Sequence, residues 1–392
     1  MRQLKNYIYL DKGYHKGVSE KLYEVVRQNK GFIVNIDEEG GVDYSDGSTL
    51  MGRYSKTLFN NANLSFLWGR KQFDLVKNNM SQENQVIVSG HPRFELLKPE
   101  FHFLYQVEVD SIKKRFNNFI LINTNMGFGN NIRGDDFVKS NYGGRYKNID
   151  QIMAFDKKKL EAYRSLILEL SQQLNKTIIL RPHPEEDHSF YLDAFKDQKN
   201  IHVVSQGSVV PWILAADFMI HPDCSTGIES LFLGKKPISY LPKDHPKDIV
   251  THLPLEASEC FISISDLISF IKKGPNSLSE VNLRSYPFAE EYFSMSKPIT
   301  KLITDSLFQF FYESNYISEK KLPLGIRIKF ILRKIQSMFQ SGKQDTLIRR
   351  KLNGFTSNNI FPLSNAIKNY LPEVDRIIIN KINKHLYCIY TK

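Results

Sequence analysis

Short apolar and β-branched runs alternate along the chain with segments whose apolar residues recur every three to four positions. The short runs predict strands near residues 7–10, 32–36, 64–67 and 85–89, with helices over 18–29 and 71–79 between them. A helix over 101–117 leads to a second series, which opens with a buried strand at 119–123. The series continues through a long amphipathic helix over 150–175, strands at 176–180, 201–204 and 217–220, a short helix over 226–233 and a strand at 237–240. Strands and helices in alternation make parallel sheets with crossover helices, so the expected class is α/β with two Rossmann-like domains. The expected limits are 1–115 and 116–300, followed from Lys301 by a basic, mostly helical region over 301–392 in which strands are hard to find. No repeat of fixed period is present.

Composition narrows the picture. With 392 residues, 41% hydrophobic and 24% charged, the chain is long enough for two ordinary domains and is neither a disordered nor a low-complexity sequence. Its three cysteines, Cys224, Cys260 and Cys388, are too scattered for a disulfide framework or a structural zinc site, and a reducing cytosol suits them. No apolar run approaches the roughly 18 residues of a spanning helix, and the N-terminus is charged too early for a secretory signal. The net charge of +11 is unevenly placed. Residues 301–392 hold 16 Lys/Arg against 6 Asp/Glu, a net +10, and leave the first 300 residues almost neutral. Such asymmetry points to a partner.

Three strand ends in the second series carry candidate chemistry. The segment from Asp217 to Gly234 is an apolar strand ending at His221, a polar turn and a helix beginning near Ser225, Thr226 and Gly227. The carboxyl end of a strand in an open α/β sheet is where ligands bind, and the following helix start offers N–H groups to an anion. Ser225 and Thr226 add hydroxyls, and Glu229 can accept from a ribose. Capping accounts for Ser225 and Glu229, but it does not call for His221, Asp223 and Gly227 as well. At Arg181-Pro182-His183-Pro184 a strand ends in a cation and an imidazole fixed between two prolines, a pair suited to a diphosphate. The acidic run Glu185-Glu186-Asp187 behind it also fits an ordinary surface turn. The loop with Asn125, Gly127 and Gly129 after strand 119–123 permits close approach of a nucleotide or sugar, but has neither the dinucleotide fingerprint nor a P-loop.

In the first series Asp37, Glu38 and Glu39 follow one strand and His91 another. Carboxylates there can serve as nucleophile, general base or stabiliser of an oxocarbenium ion; any single one is explained by a solvated turn or helix cap, whereas the cluster suits either reading equally.

Taken in order, Asp37-Glu38-Glu39-Gly40, Gly90-His91-Pro92-Arg93-Phe94, Arg181-Pro182-His183-Pro184 and Ser225-Thr226-Gly227-Ile228-Glu229-Ser230 resemble the bacterial surface carbohydrate biosynthesis proteins. These are similar to two-Rossmann (GT-B) glycosyltransferases of the retaining Kdo-transferase type, with a deep cleft between domains. The His-Pro element and the serine-bearing helix start are also similar to those of CMP-sialic acid and CDP-glycerol transferases. The resemblance covers roughly residues 5–300. It implies that Arg181, His183, Ser225 and Thr226 hold a donor phosphate, Glu229 the ribose, and Asp37–Glu39 face the sugar across the cleft. It implies no tightly bound cofactor and no metal, with a nucleotide-sugar donor, CMP-linked in first choice, as co-substrate. A CDP-polyol or UDP-sugar enzyme is the runner-up, and an inactive glycan- or lipid-binding partner is the reading from another class. Proteins of this kind usually begin with a further β-α-β segment, so the N-terminal sheet is expected to lack its first strands.

The basic region lies outside that resemblance. Helical spacing puts Leu324, Ile328, Ile331, Leu332, Ile335, Met338 and Phe339 on one side, with Arg327, Lys329, Arg333 and Lys334 on the flanks and back. Such a stripe packs on a core or lies in a membrane interface, and its cations favour an anionic surface through residues 320–351. The expected location is cytoplasmic, peripheral on the inner face of the membrane, with a lipid-linked or growing glycan as acceptor. Nucleic acid is not expected, since no basic motif is interleaved with aromatics.

Overall fold

The computed structural model describes residues 7–39, 47–80, 86–144, 146, 148–243, 245–246 and 249–313, with residues 328 and 332 and the backbone of 377–383 and 386–391. The chain divides into two compact units. One takes in the described residues up to Leu96 and again from Leu283 to Glu313, and the other runs from Leu97 to Asn282 and takes in the described strands beyond Lys343. The sequence expectation drew these limits at 115/116 and 300/301.

The first unit is built on a parallel sheet of strands β1 (Ile8–Asp11), β2 (Phe32–Ile36), β3 (Leu64–Leu67) and β4 (Val86–Val88), in that spatial order. Successive residues of β2 point to opposite faces. Ile33 packs with Tyr23, Val26, Leu58 and Phe59. Val34 and Ile36 pack with Phe66, Ile299 and Ile303. The second face is thus covered by the helix Ile299–Glu313, which brings the chain back to this unit from far along the sequence.

The second unit holds six parallel strands: β5 (Phe119–Asn123), β6 (Thr177–Arg181), β7 (Ile201–Val203), β8 (Phe218–His221), β9 (Ile238–Tyr240) and β10 (Glu259–Phe261). Their spatial order, β10-β9-β8-β5-β6-β7, is the doubly wound order of Rossmann sheets, and the α/β class with two parallel sheets is established by it. Ile120, Ile122, Ile178, Leu180, Phe218 and Ile220 lie under the long helix Ile149–Gln173. Phe119 faces the other way, into a cluster with Phe116 and Trp212. Strand β10 has no counterpart in the sequence reading, because it is three residues long and largely exposed.

Beyond residue 313 two further strands, β11 (Ile377–Asn383) and β12 (Leu386–Thr391), pair antiparallel. In this region strands are hard to find from the sequence, yet runs of isoleucine and of tyrosine and isoleucine separated by two residues favour a hairpin. Most of the stretch 320–351 lies outside the described residues; Ile328 and Leu332 within it are helical and exposed. No helix among the described residues is long and apolar enough to cross a membrane.

Candidate functional site

In the second unit the chain runs from β5 outward to β6 and β7, then crosses to β8 and continues to β9 and β10. The direction of winding reverses between β5 and β8. Side chains at the carboxyl ends of these two strands therefore border the crevice where open α/β sheets bind ligands.

These two ends and that of β6 form a row. Ile122 pairs with Ile220 and Asn123 with Arg181, so His221, Asn123 and Arg181 succeed one another across β8, β5 and β6. All three lie on the face opposite the long helix, because Ile122, Ile220 and Leu180 occupy the other. Arg181 stacks its guanidinium 5.3 Å from the Trp212 ring centre and donates to the carbonyls of Gln206 and Gly207, both at 2.9 Å. It ties down the loop after β7. Burial lowers its pKa to about 10, and it keeps its charge at neutral pH.

His221 is wholly buried, and the fold satisfies both ring nitrogens. Nδ1 accepts from the Cys224 N–H at 3.2 Å, which leaves the proton on Nε2 to donate to Ser258 Oγ at 2.9 Å. Ser258 in turn donates to the Pro254 carbonyl at 2.6 Å. Burial pulls the imidazole down to about 4. Directly over this ring passes the start of the helix Thr226–Phe232, at Gly227.

Two groups in the row's neighbourhood are not satisfied. Among the described residues Asn123 is the one side chain whose two polar atoms are both buried and unpaired. Thr226 Oγ1 is also buried without an oxygen or nitrogen partner, the Cys224 thiol being beside it. Leaving such groups desolvated costs about 1–3 kcal/mol each. Ser225 makes no side-chain capping bond, so its hydroxyl is not accounted for by an N-cap. Glu229 is buried one turn further on, where it contributes, after burial itself, to raising Tyr105 to about 12.

Across the switch point Asn125 Nδ2 donates to Asp223 Oδ1 at 3.0 Å. Beneath them Lys159 Nζ, from the long helix, reaches Asp156 Oδ1 at 2.9 Å and Asp223 Oδ1 at 3.1 Å. All three charges are buried. The two carboxylates raise the Lys159 pKa despite its burial, and Lys159 in turn pulls Asp223 down. Asp156 also accepts from the Phe128 N–H at 3.0 Å, and a Cβ on Gly129 would stand 2.7 Å from Asp156 Cβ, which is why the loop needs a glycine there.

The neighbouring turn is held by a carboxylate. Glu186 is fully buried and accepts at Oε1 from Thr124 Oγ1 (2.6 Å), the Met126 N–H (3.1 Å) and the His183 N–H (3.1 Å). Its other oxygen accepts from the Tyr191 hydroxyl. The loops after β5 and β6 are thereby clamped together. His183 accepts at Nδ1 from the Glu185 N–H at 3.3 Å, and a Cβ added to Gly127 would come only to ordinary contact distance, 3.6 Å, from that nitrogen.

The remaining candidates belong to the first unit. Asp37 is buried at the end of β2 in a two-pronged ion pair with Arg53, at 2.7 Å and 3.0 Å, while burial pushes its carboxyl upward. Glu39 shares Arg53 at 3.0 Å with its own side chain largely exposed, and Glu38 meets Lys12 at 3.1 Å. His91 lies half-buried against Trp68, 5.1 Å between ring centres, and accepts at Nδ1 from the Arg93 N–H. Burial, helped by the Arg93 charge, lowers it to about 4. Trp68 donates from Nε1 to the Asp37 carbonyl at 2.6 Å, joining the two strand ends. Among the described residues no group of three His, Cys, Asp or Glu side chains is placed to hold a metal ion.

The structure thus gathers Asn125, Gly127, Gly129, Arg181, His183, His221, Ser225, Thr226, Gly227 and Glu229 at one edge of one sheet. It adds Asn123, Asp156, Lys159 and Glu186, and places Asp223, already marked in the sequence as beyond what capping requires, among them. A signal for Lys159 was present: Ile152, Asp156, Lys159 and Tyr163 share the apolar stripe of their helix, where charges are unexpected.

No protein-family model and no curated protein matches the sequence. Solved structures show distant likeness. The wall teichoic acid polymerase TagF is 12% identical over 80% of this chain and 74% of its own, with a TM-score of 0.47. The UDP-GlcNAc 2-epimerase of Methanocaldococcus jannaschii is 13% identical over 76% and 77%, with a TM-score of 0.48. That of Neisseria meningitidis is 13% identical over 78% and 76%, with a TM-score of 0.44.

Proposed function

We propose that the protein is a glycosyltransferase that takes a sugar from a nucleotide-linked donor held by the second unit, a CMP-linked ulosonic acid such as Kdo being the first donor to test. The observation that carries this reading is the unsatisfied polar edge at the switch point, where the Asn123 amide is buried without a partner and the Thr226 hydroxyl, next in sequence to Ser225, has only the Cys224 thiol beside it. An amide that can both donate and accept suits the oxygens and hydroxyls of a nucleotide, and the hydroxyls suit its phosphate. Glu229 is the ribose acceptor in this proposal, and His183 a phosphate donor from the adjoining loop. Arg181 acts by holding the loop after β7. In the first unit Glu38 and Glu39 keep exposed carboxylates, Glu39 sharing Arg53 with the buried Asp37. The acceptor proposed is a lipid-linked or growing surface glycan, met at the cytoplasmic side of a membrane.

A melting-temperature screen with CMP-Kdo, CDP-glycerol, UDP-GlcNAc and GDP-mannose tests it. A ligand at 100 times its dissociation constant stabilises by about 2.7 kcal/mol. We expect CMP-Kdo to raise the melting temperature and Thr226→Ala to abolish the rise. A shift from UDP-GlcNAc or CDP-glycerol alone reassigns the donor, and no shift from any of the four overturns the proposal.

A further inference from the structure

The six-stranded sheet has a second recess at its opposite end. A cavity of about 450 Å³ opens where β8 begins, between the end of the helix Gln106–Phe116 and the turn after Thr226–Phe232. Three lysines line it: Lys113, Lys235 and Lys236. Lys236 Nζ donates to the Ala257 carbonyl at 3.0 Å, and Lys235 Nζ to the Ala216 carbonyl at 2.6 Å. Neither Lys113 nor Lys235 has an acidic partner within 4 Å among the described residues. The one acid in the wall, Asp217, is already paired with Lys176 at 2.6 Å. Gly234, at φ +78°, makes the left-handed turn that folds Lys235 and Lys236 back towards the sheet.

The cavity therefore carries a surplus of positive charge in a partly desolvated place. Burial and the Lys113 charge together lower the Lys235 pKa to about 8. The nearby Asp217 offsets that repulsion in part, but its carboxylate is paired with Lys176. An anion would relieve the rest, and the amides of Asn117 and Asn118 with the Ser279 hydroxyl, all in the wall, supply neutral donors for its oxygens. The volume lies within the range of small-molecule sites. The strands, about 15 Å long, separate this recess from the carboxyl edge.

We propose that this recess is a binding site for a small phosphorylated metabolite, held by Lys113 and Lys235 through its phosphate and distinct from the edge with Asn123 and Thr226. The full-length protein is titrated with inorganic phosphate and with glycerol 3-phosphate at constant ionic strength, and hydrogen exchange is followed at residues 113–118 and 234–236. We expect saturable protection there, unchanged in Thr226→Ala and weakened at least tenfold in Lys113→Ala. Lys113 is exposed, so that variant leaves folding and the Lys235 bond to Ala216 in place. A Lys235→Gln variant should lose the protection as well. The proposal is overturned if neither probe protects these segments, if chloride does so equally, or if Lys113→Ala binds as well as the native chain. Loss of protection in Thr226→Ala would place the anion at the carboxyl edge and overturn it too.

Discussion

A side-chain carbon on Gly227 would stand 2.3 Å from Nε2 of His221. The ring has nowhere to go, since Cys224 and Ser258 hold its two nitrogens and the residue is fully buried. Gly227 is thus what allows the helix start to lie over the end of β8. Gly227→Ala should cost about 1–3 kcal/mol, the usual range for overpacking, measured by urea denaturation. In a double-mutant cycle with His221→Ala the two losses should fall well short of additive. Additive losses would mean that the ring and the glycine do not meet.

The buried imidazole also sets an acid limit. A histidine whose folded pKa is lowered to about 4 contributes nothing to pH dependence above its unfolded value near 6.5. As pH falls below that value the unfolded state takes up the proton first, and stability declines until the folded pKa is passed. The span corresponds to about 3 kcal/mol. Denaturation midpoints at pH 7, 5.5 and 4.5 should fall progressively, and less steeply in His221→Asn. An equal slope in the two proteins would remove His221 from the account.

Lys159 stands between two buried carboxylates, and its removal leaves both without a counter-charge. Lys159→Met should destabilise the protein by about 3–5 kcal/mol, as expected for breaking a buried ion pair from one side. Adding Asp156→Asn to that variant should recover part of the loss, because the amide no longer carries charge into the interior. A double variant as unstable as the single one would show that packing, not charge, is what Lys159 supplies.

The strands were legible because parallel strands buried on both faces read as unbroken apolar runs, as in Phe119–Asn123 and Thr177–Arg181. Their order then follows from crossover connections, and it places the Ser225 turn and the Asn125 loop side by side. What the sequence hides is which polar residue the fold itself uses. Glu186 sits in an acidic run that suggests a solvated turn, yet four donors converge on it in the interior. His221 and Gly227 look like ligand contacts, and the structure gives each a task inside the fold. Asn123 ends an apolar strand and draws no notice until its neighbours are seen to leave its amide unpaired. Partnership is a property of distances, and spacing along the chain does not report it.

Asn123 separates stability from binding. An unpaired buried amide costs the folded state, whereas an apolar group of similar shape carries no such penalty. Asn123→Leu should therefore raise the stability of the ligand-free protein, by about 1–3 kcal/mol, since each unmade hydrogen bond is worth that order. If the amide serves a nucleotide donor, the same variant should lose the donor-induced rise in melting temperature while its own melting point goes up. A purely structural asparagine gives the opposite pair of results, a lower melting point with the donor response intact. The two measurements on one variant decide between a residue kept for the fold and a residue kept, at the fold's expense, for a ligand.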